Sequence, residues 1–470
     1  MARVPTVFRL LIGLFTAARL FRLTTYSLRA DEIFSLQVAT KASWHDFLGA
    51  VAADIVHPPL FYALLRIWIR IGGDSEAWMR LLPVVTAVAA LWPFYLLCRE
   101  LKLKTADVNL ACALFAINAY LIYFAQELRM YSLLLCLTLC SFWLFAKYFN
   151  AAHDTRRTLI ALFVVNLLLV YTQYYGWIVV AIETLILVVA RRAKLRGFLL
   201  SVAGLVLCFS PWLLVVGKIA AVRGGLESNI GSFARPDVAD VIGYYALLNG
   251  PSSSAWGVIV GQILFASPIL WWGWQLRTRT APDKGTVFTF WSLAAFSTLP
   301  IVSSYVASRL LPQSVWGTRF LVIAAVPYLL LVAAATNRLS VRWLRQATAA
   351  CILGWSALTS YAALNNTDKR AWEPLVYRMI QMEPAQGPNI SIYAFGSSDE
   401  TIAFYLRKAQ DTRFRTTRVF ELGDFAGEHF WVASRSRDEV PQQFFRSRGY
   451  QVGEGLSDGF GALLSPVWRR

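Results

Sequence analysis

The sequence predicts a polytopic α-helical membrane protein with a small α/β domain at its C-terminal end. Three observations carry that prediction. Hydrophobic residues make up 57% of the 470 residues, only 16% are charged, and the mean hydropathy is +0.49. About eleven apolar runs, each long enough or nearly so to cross a bilayer, are separated by short polar connections. Past residue 364 the apolar runs stop and a mixed, alternating pattern takes over.

The apolar runs lie near 6–23, 79–98, 108–125, 130–146, 158–172, 176–190, 198–217, 256–275, 286–303, 319–336 and 346–363. In the first, Arg9 and Arg19 interrupt the apolar residues and no small-x-small cleavage pattern follows. It is expected to be a retained first helix and not a signal peptide. Alternate connections are basic: Arg99, Lys102 and Lys104; Lys147, Arg156 and Arg157; Arg191, Arg192, Lys194 and Arg196; Arg277, Arg279 and Lys284; Arg338, Arg342 and Arg345. The positive-inside rule places these in the cytoplasm, which puts the N-terminus inside and the C-terminus outside. The run 60–71 is too short to span about 30 Å at 1.5 Å per residue, and it carries Arg66 and Arg70. It is expected to lie as an amphipathic helix in the outer interface. Residues 24–78 then form one outer loop with short helices near 34–40 and 44–52. The stretches 126–129, 171–175, 218–255 and 304–318 also reach the outer side, and 237–248 is expected to be a surface helix.

The tail, 364–470, has helical spacing over 370–381, 401–408 and 439–448 and strand patterns at 390–395 and 429–433. Gly396-Ser397-Ser398 reads as a turn and helix cap. The tail is nearly balanced in charge, so the net charge of +17 resides among the membrane segments. That distribution argues against nucleic acid as a partner. The six cysteines all fall in apolar runs and form no CxxC pair, so neither a disulfide framework nor a cysteine metal site is expected. Asn365-Asn366-Thr367 and Asn389-Ile390-Ser391 match glycosylation sequons, without functional weight here.

The candidate chemistry sits at helix mouths, where charge is costly unless used. Asp31 and Glu32 follow the first apolar run. Next come His57-Pro58-Pro59-Leu60-Phe61-Tyr62, then Gly73-Asp74-Ser75-Glu76 with Arg80, and then Gln126-Glu127-Leu128-Arg129-Met130-Tyr131-Ser132. A carboxylate at such a mouth can take a proton from a hydroxyl, and cations beside it can hold a phosphate. Each has a plainer alternative. Asp31 can pair with Arg29, His57 can cap a helix, and Glu127 with Arg129 can be an orienting ion pair. Glu183, inside an apolar run, most simply faces a buried polar partner.

Taken in order, these motifs resemble bacterial membrane glycosyltransferases of the GT-C superfamily, in particular protein O-mannosyltransferases and the lipid A aminoarabinose transferase. The resemblance covers roughly residues 10–336. It implies transfer of a monosaccharide from a polyprenyl phosphate to a lipid, glycan or protein acceptor outside the membrane, with inversion, in the bacterial inner membrane. It makes Asp31 the catalytic carboxylate and Glu32 its neighbour. It puts His57, Arg129 and Arg319 at the donor phosphate. Glu127, Tyr131, Tyr174 and Tyr62 become substrate contacts. The chain departs from the pattern twice. His57 stands where aminoarabinose transferases carry lysine, and Gln173 stands where relatives often carry histidine. No cofactor is required, although two adjacent carboxylates leave a divalent cation open. A flippase or transporter, or a lipid-linked oligosaccharide ligase, is the alternative class. The tail is expected to rest on the outer loops, covering the site or selecting the acceptor.

Overall fold

The computed structural model describes residues 6–152, 155–222, 234–278, 283–365, 369–384, 390–395, 398–419, 425, 427–434, 442–459 and 461–469. Part of the 218–255 stretch, Asn366-Thr367 of the first sequon, Asn389 of the second, the Gly396-Ser397 turn and residues 439–441 of the last expected helix lie outside them. Two compact units result. Met1–Phe21 groups with Val38–Leu364, and Arg22–Gln37 groups with Asn365–Arg470.

The first part of the chain forms α1 (Thr6–Leu20), α2 (Ala30–Ala39), α3 (Trp44–Asp54), α4 (Leu60–Gly72), α5 (Glu76–Ala89), α6 (Leu91–Glu100), α7 (Thr105–Ile117), α8 (Ala119–Ala125), α9 (Tyr131–Asn150), α10 (Arg156–Thr172), α11 (Gly176–Ala190) and α12 (Leu195–Val222). Among the described residues, seven helices are long and apolar enough to cross a membrane, or eight if the bent pair α7–α8 counts as one. The runs expected at 6–23, 158–172 and 176–190 form helices of 15, 17 and 15 described residues, shorter than those spans. The helix Val322–Thr336 is buried along its whole length, against the helix Lys284–Leu310 and α7. Its Ala- and Leu-rich surface lets neighbours approach closely from every side.

Some polar residues inside this unit close helix ends. Asn118 ends α7 and caps α8 by accepting from Leu121 N–H at 3.1 Å, and the chain bends by 59° there. The break exposes α7 carbonyls. Arg19, fully buried, donates to Phe115 O at 3.0 Å and Ala116 O at 3.2 Å, which explains an arginine inside the first apolar run. Arg66 plays the same part for the turn after α2, donating to Ala39 O at 2.9 Å, Lys41 O and Ala42 O. It is 3% exposed, so α4 turns this arginine inward, while Arg70 one turn further on is exposed. Trp68 of α4 and Trp78 of α5 stack with centroids 4.5 Å apart, and each indole N–H donates to the other's backbone carbonyl, at 2.7 and 2.9 Å. Gly72 is required beneath them, since a Cβ there would meet Trp78 at 2.1 Å.

The second unit is a six-stranded sheet in the order β2-β1-β3-β6-β4, with β5 on β6. The strands are β1 (Ile390–Phe395), β2 (Phe414–Val419), β3 (His429–Ser434), β4 (Tyr450–Val452), β5 (Leu456–Ser457) and β6 (Leu463–Arg469). β1 pairs in parallel with β2 and β3, and β6 runs antiparallel to β3 and β4. Alternation along β1 fills two cores. Ile390, Ile392 and Ala394 pack with the helices Trp372–Met382 and Asp399–Lys408, while Tyr393 packs with Phe430, Val432, Phe445 and Val467 on the other side. Ser398 precedes Asp399–Lys408 without a side-chain cap bond, contrary to the cap expected there.

Residues Arg22–Gln37 are tied into this unit. Leu28 N–H donates to Tyr405 OH at 2.9 Å, Ser27 N–H to Arg370 O at 3.0 Å, and Glu373 N–H to Ser27 Oγ at 2.7 Å. The segment expected to be the start of the first outer loop is thus built together with the C-terminal residues.

Candidate functional site

In the membrane unit, four chain segments gather around His57. The first is the turn after α3. Ile55 has φ +62°, a left-handed conformation that is costly for a β-branched residue. It turns the chain so that His57 Nδ1 comes to 2.6 Å from Asp54 Oδ2. Pro58 and Pro59 then lead into α4, which presents Tyr62. The second is the turn between α8 and α9, which carries Arg129 and starts α9 at Tyr131. The third is Gln173–Tyr175 between α10 and α11. The fourth is the short 3-10 turn Thr318–Leu321, pinned by Tyr120 OH on Thr318 O at 2.7 Å and by Tyr244 OH on Leu321 O at 2.6 Å.

Phe320 is the hub. Its ring centroid lies 5.8 Å from His57, 6.2 Å from Tyr131 and 5.3 Å from Tyr175. Around it runs a chain of polar contacts. Arg129 Nη2 is 3.0 Å from His57 Nε2, and Arg129 Nη1 donates to Tyr62 OH at 3.1 Å. Arginine only donates, so His57 Nε2 accepts and its Nδ1–H donates to the Asp54 carboxylate. His57, Tyr62 and Arg129 are each 5% exposed or less. Burial first, and then the Arg129 charge, push the His57 pKa down to about 4. The Asp54 contact opposes this, and Arg319 adds to the lowering. In this state His57 is neutral at pH 7. Burial raises the Tyr62 phenol despite Arg129, and raises Tyr174 to about 12.

The sequence candidates fall into three groups. His57, Tyr62, Arg129 and, through its charge, Arg319 form one electrostatic cluster. Tyr131 stands at its edge beside Phe320. Tyr174 supports it from behind: its OH donates to Ile55 O at 2.9 Å and accepts from Trp212 Nε1 at 3.1 Å. Gln173, at the position where the resemblance implies that relatives often carry histidine, accepts through its Oε1 from Tyr174 N–H at 2.6 Å. Glu127 is 7% exposed, and its carbonyl accepts from Arg129 N–H at 2.7 Å, which shapes the turn that aims Arg129.

Asp31 and Glu32 stand in the second unit, in the first turn of α2. Glu32 is 2% exposed and its Oε2 accepts from Arg29 N–H at 3.0 Å, a helix-capping contact. Asp31 is exposed, and its carbonyl accepts from Ser35 Oγ at 2.9 Å. The pair therefore divides its work, with Glu32 closing the helix and Asp31 presented at its first turn. Among the described residues no group of three or more His, Cys, Asp or Glu side chains comes together.

Two contributors were not singled out in the sequence. Asp54 had a visible signal, an Asp-x-x-His spacing at the end of an expected helix. Ile55 had none, since nothing marks an isoleucine for left-handed backbone.

No family model matches the sequence, and no curated protein matches it. Solved structures do match in three dimensions. ArnT from Cupriavidus metallidurans bound to undecaprenyl phosphate superposes with a TM-score of 0.57 at 12% identity, covering 98% of this chain and 97% of its own. Its apo state gives 0.59 over the same shares, also at 12% identity. The chain has the GT-C fold. The oligosaccharyltransferase of Archaeoglobus fulgidus, in complex with zinc and sulfate, gives 0.53 at 12% identity over 84% of this chain. This chain covers 61% of that longer protein. At such identities the likeness is one of fold, and in the case of ArnT it extends over nearly the whole length of both chains.

Proposed function

We propose that this chain is a membrane glycosyltransferase that takes a monosaccharide from a polyprenyl-phosphate donor and passes it to an acceptor hydroxyl on the outer face of the bacterial inner membrane. The observation that carries this reading is the cluster of buried His57, Arg129 and Tyr62 with partly exposed Asp54 and Arg319, in a GT-C fold whose structural neighbour binds undecaprenyl phosphate.

The chemistry follows from charge. The acceptor oxygen attacks the anomeric carbon, the bond from that carbon to the phosphate oxygen breaks, and configuration inverts. The acceptor proton goes to a carboxylate, for which exposed Asp31 is the candidate. The departing phosphate changes from a diester with one negative charge to a monoester with up to two. Cations that bind it are therefore worth more as the bond breaks, which is the condition for rate acceleration. Arg129 and Arg319 supply two. His57 is a reserve: a phosphate that engages Arg129 relieves the contact holding Nε2 as an acceptor, and His57 can then take a proton, with Asp54 steadying the imidazolium. Buried Tyr62 offers a hydroxyl that stays protonated.

The test uses purified protein in proteoliposomes with a polyprenyl-phosphate sugar, read as acceptor-dependent release of polyprenyl phosphate by mass spectrometry. The donor sugar is identified beforehand as the polyprenyl-phosphate sugar accumulating in a deletion strain. Asp31→Asn is expected to lose about two to four powers of ten in transfer rate and to keep donor binding. Near wild-type turnover by folded Asp31→Asn excludes it as the base. A deletion strain with unchanged polyprenyl lipids and an unchanged envelope would remove the transferase reading itself.

A further inference from the structure

A groove of about 800 Å³ opens between α9, α11 and the helix Lys284–Leu310, and none of its lining residues belongs to the cluster around His57. That volume is within the range of roughly 300–1,000 Å³ found for ligand sites. Its wall is apolar. Phe149 and Phe288 stack face to face, with centroids 4.1 Å and planes 12° apart, and Leu185, Val189 and Trp291 continue the surface. Val189 is 76% and Trp291 63% exposed, so the wall is open along its length to whatever surrounds the helices.

One end of this wall is cationic. Arg191 follows α11 directly and places its guanidinium 5.5 Å from the Phe149 ring. Lys284 is the first residue of its helix. Two nearby acids among the described residues, Asp283 and Glu100, are already engaged. Asp283 caps that helix, accepting from Thr286 N–H at 2.8 Å and Thr286 Oγ1 at 3.0 Å, and Glu100 accepts from Asn150 Nδ2 at 3.0 Å. Arg192 and Lys194 lie just beyond, in the basic connections that the positive-inside rule assigns to the cytoplasm.

An apolar wall facing the bilayer with two cations at its cytoplasmic end has the chemistry of an amphiphile with an anionic head. A soluble anion would leave the wall unused, and a zwitterionic lipid would leave the cations with a near-neutral partner. We infer that the groove holds an anionic phospholipid of the inner leaflet, its phosphate between Arg191 and Lys284 and an acyl chain along Phe149, Phe288 and Trp291.

Native mass spectrometry of the full, delipidated protein tests this, with separate titrations of phosphatidylglycerol, phosphatidylcholine of the same chains, and undecaprenyl phosphate. Phosphatidylglycerol is expected to be retained about tenfold or more over phosphatidylcholine. The double variant Arg191→Gln/Lys284→Gln should lose that preference, whereas Arg192→Gln, outside the groove lining, should keep it. Trp291→Ala should weaken both phospholipids alike. Equal retention of the two phospholipids by the native protein overturns the assignment, as does a preference that survives in the folded double variant. Undecaprenyl phosphate losing the same retention in the double variant as phosphatidylglycerol does would overturn the choice of occupant.

Discussion

At the scale of single residues, the protonation of His57 is conditional on what surrounds it. Its folded pKa of about 4 lies below the ordinary 6.5, so the unfolded chain binds more protons between those values. Stability contributed by neutral His57 is therefore complete above about pH 6.5 and lost as pH falls toward 4, on the order of 3 kcal/mol in all. A His57→Gln variant should show a flatter unfolding-versus-pH profile over that window, measured by thermal melting in detergent. An unchanged slope would show that His57 is not buried as a neutral ring. Phosphate reverses the sign, because a bound anion favours the imidazolium. Polyprenyl-phosphate affinity of the native protein, relative to that of His57→Gln, should rise from pH 7.5 to 5.5. Arg319 is the second test at this scale. Arg319→Ala should weaken donor binding and slow transfer together, and Arg319→Lys should recover only part, since lysine lacks the planar fork. Unchanged affinity in Arg319→Ala would leave Arg319 a purely structural residue. The candidates of this cluster were legible because histidine and arginine at helix mouths are costly to place there without a use. Asp54 showed only in its spacing to His57, and the Ile55 turn not at all, because left-handed backbone there arises only in the folded chain.

At the scale of elements, the long apolar runs were legible as helices, but not what joins them. The α7–α8 bend depends on one asparagine in an apolar stretch, and its cost is met by Arg19 from a distant helix. In the second unit, β1 and β3 showed in the sequence as apolar strand patterns. β2 did not, since Arg415 and Arg418 interrupt it. β6 was hidden by Pro466, which ordinarily argues against a strand with neighbours on both sides. It lies between the part of β6 that pairs with β4 and the part that pairs with β5, so neither ladder calls on its missing N–H, and its carbonyl accepts from Gly453 N–H at 2.9 Å. Glu183 shows how a polar residue in an apolar helix can be structural. Its two oxygens meet Ser141 Oγ at 2.6 Å and Asn166 Nδ2 at 2.8 Å, which locks α9, α10 and α11 together. Glu183→Gln keeps an acceptor oxygen and adds a donor, so it should be tolerated. Glu183→Ala leaves Asn166 Nδ2 without its carboxylate partner in an apolar interior, although Ser141 Oγ still reaches Asn166 Oδ1 at 2.6 Å, and should cost about 1–3 kcal/mol. Thermal unfolding of the two variants in detergent decides. Equal stability of the alanine variant would mean that the contacts contribute nothing.

At the scale of the whole molecule, the instructive result is where the chain divides. Composition changes at residue 364 and suggests a tail simply appended there. The second compact unit, however, begins at Asn365 and also takes in Arg22–Gln37, the segment that carries Asp31 and Glu32. The bonds from Leu28 to Tyr405, from Ser27 to Arg370 and from Glu373 to Ser27 all have one partner beyond residue 364. Removing residues 365–470 would strip each of them away and leave the start of α2 without the partners that order it. The cluster of His57, Tyr62, Arg129 and Arg319 lies wholly in the other unit, as does Asp54, which holds His57. The two functions assigned to the chain should therefore separate. A protein truncated after residue 364 should still bind undecaprenyl phosphate with near-native affinity, yet lose transfer to nearly the extent that Asp31→Asn does. Adding Asp31→Asn to the truncated protein should then lower activity little further, because both changes remove the proposed base. Full transfer by the truncated protein would sink the idea that the C-terminal residues hold the proposed base in place. Loss of lipid binding together with transfer would mean instead that the truncated membrane unit does not fold without its partner.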